Sequence, residues 1–231
     1  MGWRRGARVS LIAALFAVVA VQQATAQEEI PPPSGGKARL VVVLSGATGS
    51  GNYRTISSRI AQLGYDVVLF DSNAVIKGRQ GRPLSEAVGA AIEQARTMPH
   101  ALPGKVALVG FSQGGGMALG YGPTALSGQV AVTVAWYPQT SEFKDVPGWA
   151  ARVRAPVVMF AGTADEYKFC CMIAKAQEIA SAAKAANAPF ELTTYPGIRH
   201  GFSIPGSDYS ASTTDDALAR TAAALKRYLG D

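Results

Sequence analysis

At 231 residues, with 48% hydrophobic and 16% charged, the chain is long enough for one domain with a sizeable core and too apolar to stay disordered. Its 25 glycines and 13 prolines follow no repeat period, and two cysteines and two histidines cannot build a disulfide-rich scaffold or a His-rich zinc centre. The formal charge of +6 includes Arg4, Arg5 and Arg8 of residues 1–26, which hold no acid; the rest carries 19 basic and 16 acidic residues without a basic stripe, so no nucleic-acid partner is expected.

In chain order, the first element is a leader. Trp3 to Arg8 are basic, Val9 to Val21 form an apolar run of 13 residues, and Ala24-Thr25-Ala26 places small residues where a signal peptidase reads them. That run is shorter than the roughly 20 residues of a membrane-crossing helix, so a signal peptide over residues 1–26 is preferred to a retained anchor. Cleavage after Ala26 would give a periplasmic or secreted protein with no stable membrane insertion. Arg4-Arg5 leaves the export route open.

Residues 27–37 read as a flexible Pro/Gly-rich lead-in with little to bury, and residues 38–231 as the folded domain. Strands are predicted over Leu40–Leu44, Asp66–Phe70, Val106–Val109, Val130–Trp136, Val157–Ala161 and Glu191–Tyr195. Helices are predicted over Asn52–Leu63, Ser85–Met98, from Gly114 to Leu119, Ala174–Ala186 and Asp215–Leu229, the last with Asp215 and Asp216 at its positive end. Alternation of apolar strands with helices predicts an α/β fold: a mostly parallel sheet of about six strands, covered by helices on both faces in three layers. Residues 71–84, 137–156 and 196–214 read as irregular stretches, where such sheets build their sites.

Gly110-Phe111-Ser112-Gln113-Gly114 joins a predicted strand to a predicted helix, the setting in which G-x-S-x-G exposes a nucleophilic serine on a tight turn. A hydroxyl needs a base. His100 precedes Pro103 at the far end of the strand from Ser112, whereas His200 lies between the last strand and the last helix, where the base is expected. Asp165, after the fifth strand, is the acid that would hold His200 in its tautomer. It is preferred to Glu166 because a shorter side chain needs less ordering. The backbone N–H groups of Gln113 and of Ala47, with Gly46 or Thr48 as alternatives to Ala47, are the expected oxyanion donors. Residues 45–53 match neither a nucleotide P-loop nor a dinucleotide fingerprint.

On Gly110–Gly115, Ala161–Glu166 and Gly197-Ile198-Arg199-His200-Gly201-Phe202, the chain resembles the dienelactone hydrolase family of the α/β-hydrolase superfamily over nearly all of residues 38–230. The resemblance implies Ser112, Asp165 and His200 as a triad. It departs at Ser112, where the dienelactone-cleaving members carry cysteine, and in the export leader. The expected activity is therefore serine-dependent hydrolysis of a small or polymeric carboxylic ester through an acyl-enzyme, with no metal or organic cofactor. A peptidase or amidase on the same triad, or a non-catalytic binding protein, are the alternatives.

Tyr53, Trp136, Tyr137, Tyr167 and Phe202 stand at strand ends or site loops and are expected to line an acyl pocket, with ordinary core packing as the alternative, for Trp136 above all. Arg199 reads as a salt-bridge partner, with binding of a substrate carboxylate as the alternative, and Asp71-Ser72-Asn73 as substrate contacts or a turn cap. Adjacent Cys170 and Cys171 are open to three states: reduced and partly buried, joined to each other, or paired between molecules.

Overall fold

The computed structural model describes residues 27–230, so the predicted signal peptide lies outside the described residues. Seven strands form one sheet in the order β1-β3-β2-β4-β5-β6-β7: β1 Gln27–Ile30, β2 Leu40–Leu44, β3 Asp66–Phe70, β4 Val106–Phe111, β5 Val130–Trp136, β6 Val157–Gly162 and β7 Phe190–Tyr195. All neighbours run parallel except β1, which lies antiparallel on β3 with Gln27 opposite Phe70 and Ile30 opposite Val67.

The α/β expectation holds, with one strand more than predicted. Gln27–Ile30 reads in the sequence as part of a lead-in that buries little; in the structure it pairs with the outer edge of β3. The sequence QEEI lacks an apolar run, and its strand is driven by the unpaired N–H and C=O groups that β3 would otherwise expose.

Alternate residues of each strand face opposite helix layers. Val41, Val43, Val67, Leu69, Val109 and Phe111 pack toward α1 (Arg54–Ala61) and α7 (Ala211–Tyr228). Leu40, Val42, Leu44, Val68 and Leu108 pack toward α3 (Leu84–Ala95) and α4 (Ser112–Tyr121), and Ala135, Val157 and Met159 toward α5 (Val146–Ala151) and α6 (Ile173–Ala185). Two short helices fall in stretches read as irregular. α2 (Ser72–Gly78) is capped by the Asp71 carboxylate accepting from Asn73 N, and α5 by Asp145 accepting from Gly148 N. α7 begins four residues earlier than predicted, capped by Ser210. Asp215 and Asp216 therefore sit inside it and pair with Arg59 and Arg220, both at 2.7 Å.

β3 lies to one side of β2, and β4 with all later strands to the other. The chain reverses direction across the sheet between β2 and β4, and the crevice beyond their carboxyl ends is where such sheets bind ligands. Ser45–Tyr53 leaves β2 there, and Ser112 leaves β4 beside it.

Candidate active site

Ser112 is the first residue of α4 and holds φ of +50°, a left-handed conformation that costs a non-glycine residue about 1–3 kcal/mol. Two glycines make this turn possible. A Cβ on Gly110 would stand 2.2 Å from the Gly114 carbonyl oxygen, and one on Gly114 would stand 2.3 Å from that of Leu44. The serine hydroxyl meets His200 Nε2 at 2.9 Å, and His200 Nδ1 meets Asp165 Oδ2 at 2.7 Å. The other oxygen of Asp165 accepts from Tyr167 N at 3.2 Å. Asp165 is buried and His200 nearly so.

The structure thus brings the predicted nucleophile, base and acid into one hydrogen-bonded line from β4, β6 and β7. Glu166 is not in it. His100 lies at the opposite end of the sheet, against Glu29. Gly162 joins the acid and base loops: a Cβ there would come 2.2 Å from the Ile198 carbonyl oxygen, and Ala164 N donates to that same oxygen at 3.0 Å. His200 is held by two tyrosines. The Tyr167 ring stacks on it at 4.6 Å with planes 5° apart, and Tyr137 meets it edge-on at 5.0 Å.

Gln113 N lies in the first turn of α4, where no intrahelical acceptor exists, and no other backbone bond takes it. Ala47 and Thr48 border the cleft beside Ser112. Their loop is braced from α2: Asn73 Nδ2 donates to Ala47 O at 3.0 Å, and Ser72 Oγ donates to Ser45 O at 2.6 Å. Asp71-Ser72-Asn73 therefore supports the loop and caps α2. Arg199 pairs with Asp208 at 3.4 Å.

The cleft at Ser112 holds about 190 Å³, bounded by Tyr53 and Tyr167 and, from the irregular stretch 196–214, by residues 204–208. The expected acyl-pocket wall is corrected at three positions. Trp136 and Phe202 are fully buried beneath the elbow, where Trp136 packs on Phe111, Phe160 and Phe202. Tyr137 touches His200 from below and bonds Ser203 Oγ at 2.5 Å, without lining the cleft. The period-two alternation of β5 turns Trp136 to the α1/α7 face rather than out of the strand end. Burial raises the phenol pKa of Tyr53 and, further, that of Tyr137. A larger groove of about 640 Å³ runs along the outer face of α4 past Gln113, Met117 and Tyr121, but the Ser112 hydroxyl points into the smaller cleft.

Cys170 and Cys171 are joined to each other, with Cα atoms 3.8 Å apart. They lie beside His200, and the carbonyl of Cys170 accepts from the backbone of Thr140 at 2.8 Å and of Ser141 at 2.9 Å. With both sulfurs bonded and His200 engaged by Ser112 and Asp165, this group offers no metal site. No helix among the described residues is long and apolar enough to cross a membrane.

Solved structures share this fold at low identity. A putative dienelactone hydrolase from Klebsiella pneumoniae matches at TM-score 0.72 and 21% identity, covering 87% of this chain and 92% of that one. A dienelactone hydrolase-like promiscuous phosphotriesterase from metagenomic libraries matches at 0.69 and 17%, covering 87% and 98%. A thermophilic esterase from the planctomycete Thermogutta terrifontis matches at 0.65 and 17%, covering 87% and 86%. No curated protein sequence matches. The sequence model of one family, however, fits residues 72–229, which include the elbow, the acid and the base, and the chain belongs to that family of hydrolases, the dienelactone hydrolase family.

Proposed function

We propose that this protein is a serine esterase that cleaves carboxylic esters through an acyl-enzyme on Ser112. The observation that carries the reading is the unbroken line Ser112–His200–Asp165 at a strained elbow. His200 Nε2 takes the hydroxyl proton as Ser112 Oγ attacks the ester carbonyl. The negative oxygen that forms is met by the N–H groups of Gln113 and Ala47. Asp165 holds Nδ1–H and stabilises the imidazolium while it lasts. The imidazolium then protonates the departing alcohol, and water, deprotonated by the same nitrogen, releases the acid.

The cleft favours a short acyl group. At about 190 Å³ it falls below the roughly 300 Å³ at which pockets for drug-sized ligands begin. It opens past Tyr167, which is exposed, so the alcohol part can extend into solvent and can be large. The leader over residues 1–26 and the Cys170–Cys171 bond together favour export to an oxidising compartment.

Structures of the Thermogutta esterase carry that protein phosphonylated by sarin and phosphorylated by paraoxon, which commends an organophosphorus probe here. A fluorophosphonate should label the purified chain once, at Ser112, and the Ser112→Ala variant not at all. The parent should hydrolyse p-nitrophenyl acetate and butyrate faster than longer esters and faster than the matched p-nitroanilides. Absence of labelling would leave a non-catalytic binding protein, and preference for the anilides would make it an amidase.

A further inference from the structure

The end of the sheet opposite Ser112 gathers three side chains that the hydrolytic site does not use. Asp66 opens β3, Glu29 sits on β1, and His100 follows α3, where its carbonyl accepts from Ala38 N at 2.9 Å. Their donor atoms lie within 4.8 Å of one another. His100 Nδ1 is 3.1 Å from Glu29 Oε1, and the backbone N–H of His100 donates to the same oxygen at 3.1 Å.

Asp66 sets this cluster apart from a surface ion pair. It is 0% exposed, and neither carboxylate oxygen has a hydrogen-bond partner. A buried carboxylate with no donor and no cation is costly, and native interiors rarely keep one. Of the two neighbours in reach, Glu29 is an acid that repels the Asp66 charge, and His100, turned to Glu29, offsets it only in part.

We propose that Glu29, Asp66 and His100 form a binding site for a divalent cation, best suited to zinc. One imidazole and two carboxylates are the borderline donor set that zinc accepts from three protein ligands, with water as the fourth. Tetrahedral bonds of about 2.0–2.1 Å place ligand atoms roughly 3.3 Å apart, close to the 3.1 Å between His100 Nδ1 and Glu29 Oε1 and within the 4.8 Å span of the cluster. The backbone bond from His100 N orients Glu29 in advance, the part a second shell plays at metal sites. The ion would join β1, β3 and the loop after α3, fixing an edge strand of only four residues to the sheet. The site lies away from the cleft, so its role is structural and independent of the ester chemistry.

The test uses the purified chain, freed of metal with a chelator and titrated with zinc chloride alone at a pH of about 7.5. Calorimetry should show one zinc per chain, and the melting temperature should rise by about 5–10 °C at a hundredfold excess over Kd. Asp66→Asn and His100→Ala should each weaken binding about a hundredfold or more. His100 is partly exposed, so its variant tests the idea even if Asp66→Asn fails to fold. His200→Ala should bind zinc like the parent. No stoichiometric binding, binding unchanged in His100→Ala, or loss only in His200→Ala would each overturn the proposal.

Discussion

Replacing Asp165 by Asn tests the site at its least visible member. The amide keeps the shape of the buried carboxylate, so the loop after β6 should hold, but the charge goes and His200 loses the partner that fixes its Nδ1–H. At 2.7 Å and an effective dielectric near 20, a carboxylate and an imidazolium attract by about 6 kcal/mol. Hydrogen bonding from the amide recovers part of that, so about 4–5.5 kcal/mol of transition-state stabilisation is lost, a fall of about 10³–10⁴ in kcat. Steady-state hydrolysis of p-nitrophenyl acetate measures it. KM should change little, because Asp165 touches no part of the substrate. A kcat within tenfold of the parent, with thermal stability unchanged, would refute the role given to Asp165. Recovery of that kcat loss by Glu166 would require the loop to rearrange, and Glu166→Gln in the parent should be nearly silent.

Gly162→Ala should lower the melting temperature by several degrees and cut activity, because its Cβ would press on the Ile198 carbonyl and part the acid loop from the base loop; scanning calorimetry with an ester assay checks both. Tyr167→Ala removes the ring stacked on His200 and should lower kcat about two- to tenfold, from roughly 0.5–1.5 kcal/mol of lost ring contact, while Tyr167→Phe stays close to the parent. The buried phenol of Tyr137 keeps its proton in the folded chain where the unfolded chain loses it, so stability should fall as pH rises above about 10, by up to ~1.4 kcal/mol per pH step. Denaturant titrations of the parent and Tyr137→Phe should then show a shallower alkaline decline in the variant.

The parallel strands were legible because burial on both faces writes continuous apolar runs, as in Leu40–Leu44 and Val106–Val109. β1 was not, since its pairing comes from backbone groups at a sheet edge and QEEI carries no side-chain signature of it. α2 and α5 are short, and their starts rest on single aspartate caps that resemble ordinary turn residues. Ser112, Asp165 and His200 could be found because chain order on this fold ties each to the end of a particular strand. The brace that Ser72 and Asn73 give the loop after β2, and the contact of Gly162 with the loop of His200, could not: each acts on a loop distant in sequence. Trp136 and Phe202 stand at a strand end and in a site loop in sequence, but both side chains turn inward to the core below the elbow, a direction that position along the chain does not encode.

The sulfur–sulfur bond beside His200 has a bearing on how this protein can be inhibited. Both cysteines of the chain are spent in it, leaving no free thiol. Maleimides, iodoacetamides and other sulfur-seeking reagents should pass it by, whereas relatives armed with a cysteine nucleophile would be silenced. In a mixture of such enzymes, that contrast would allow this one to be assayed after every thiol-dependent neighbour has been switched off.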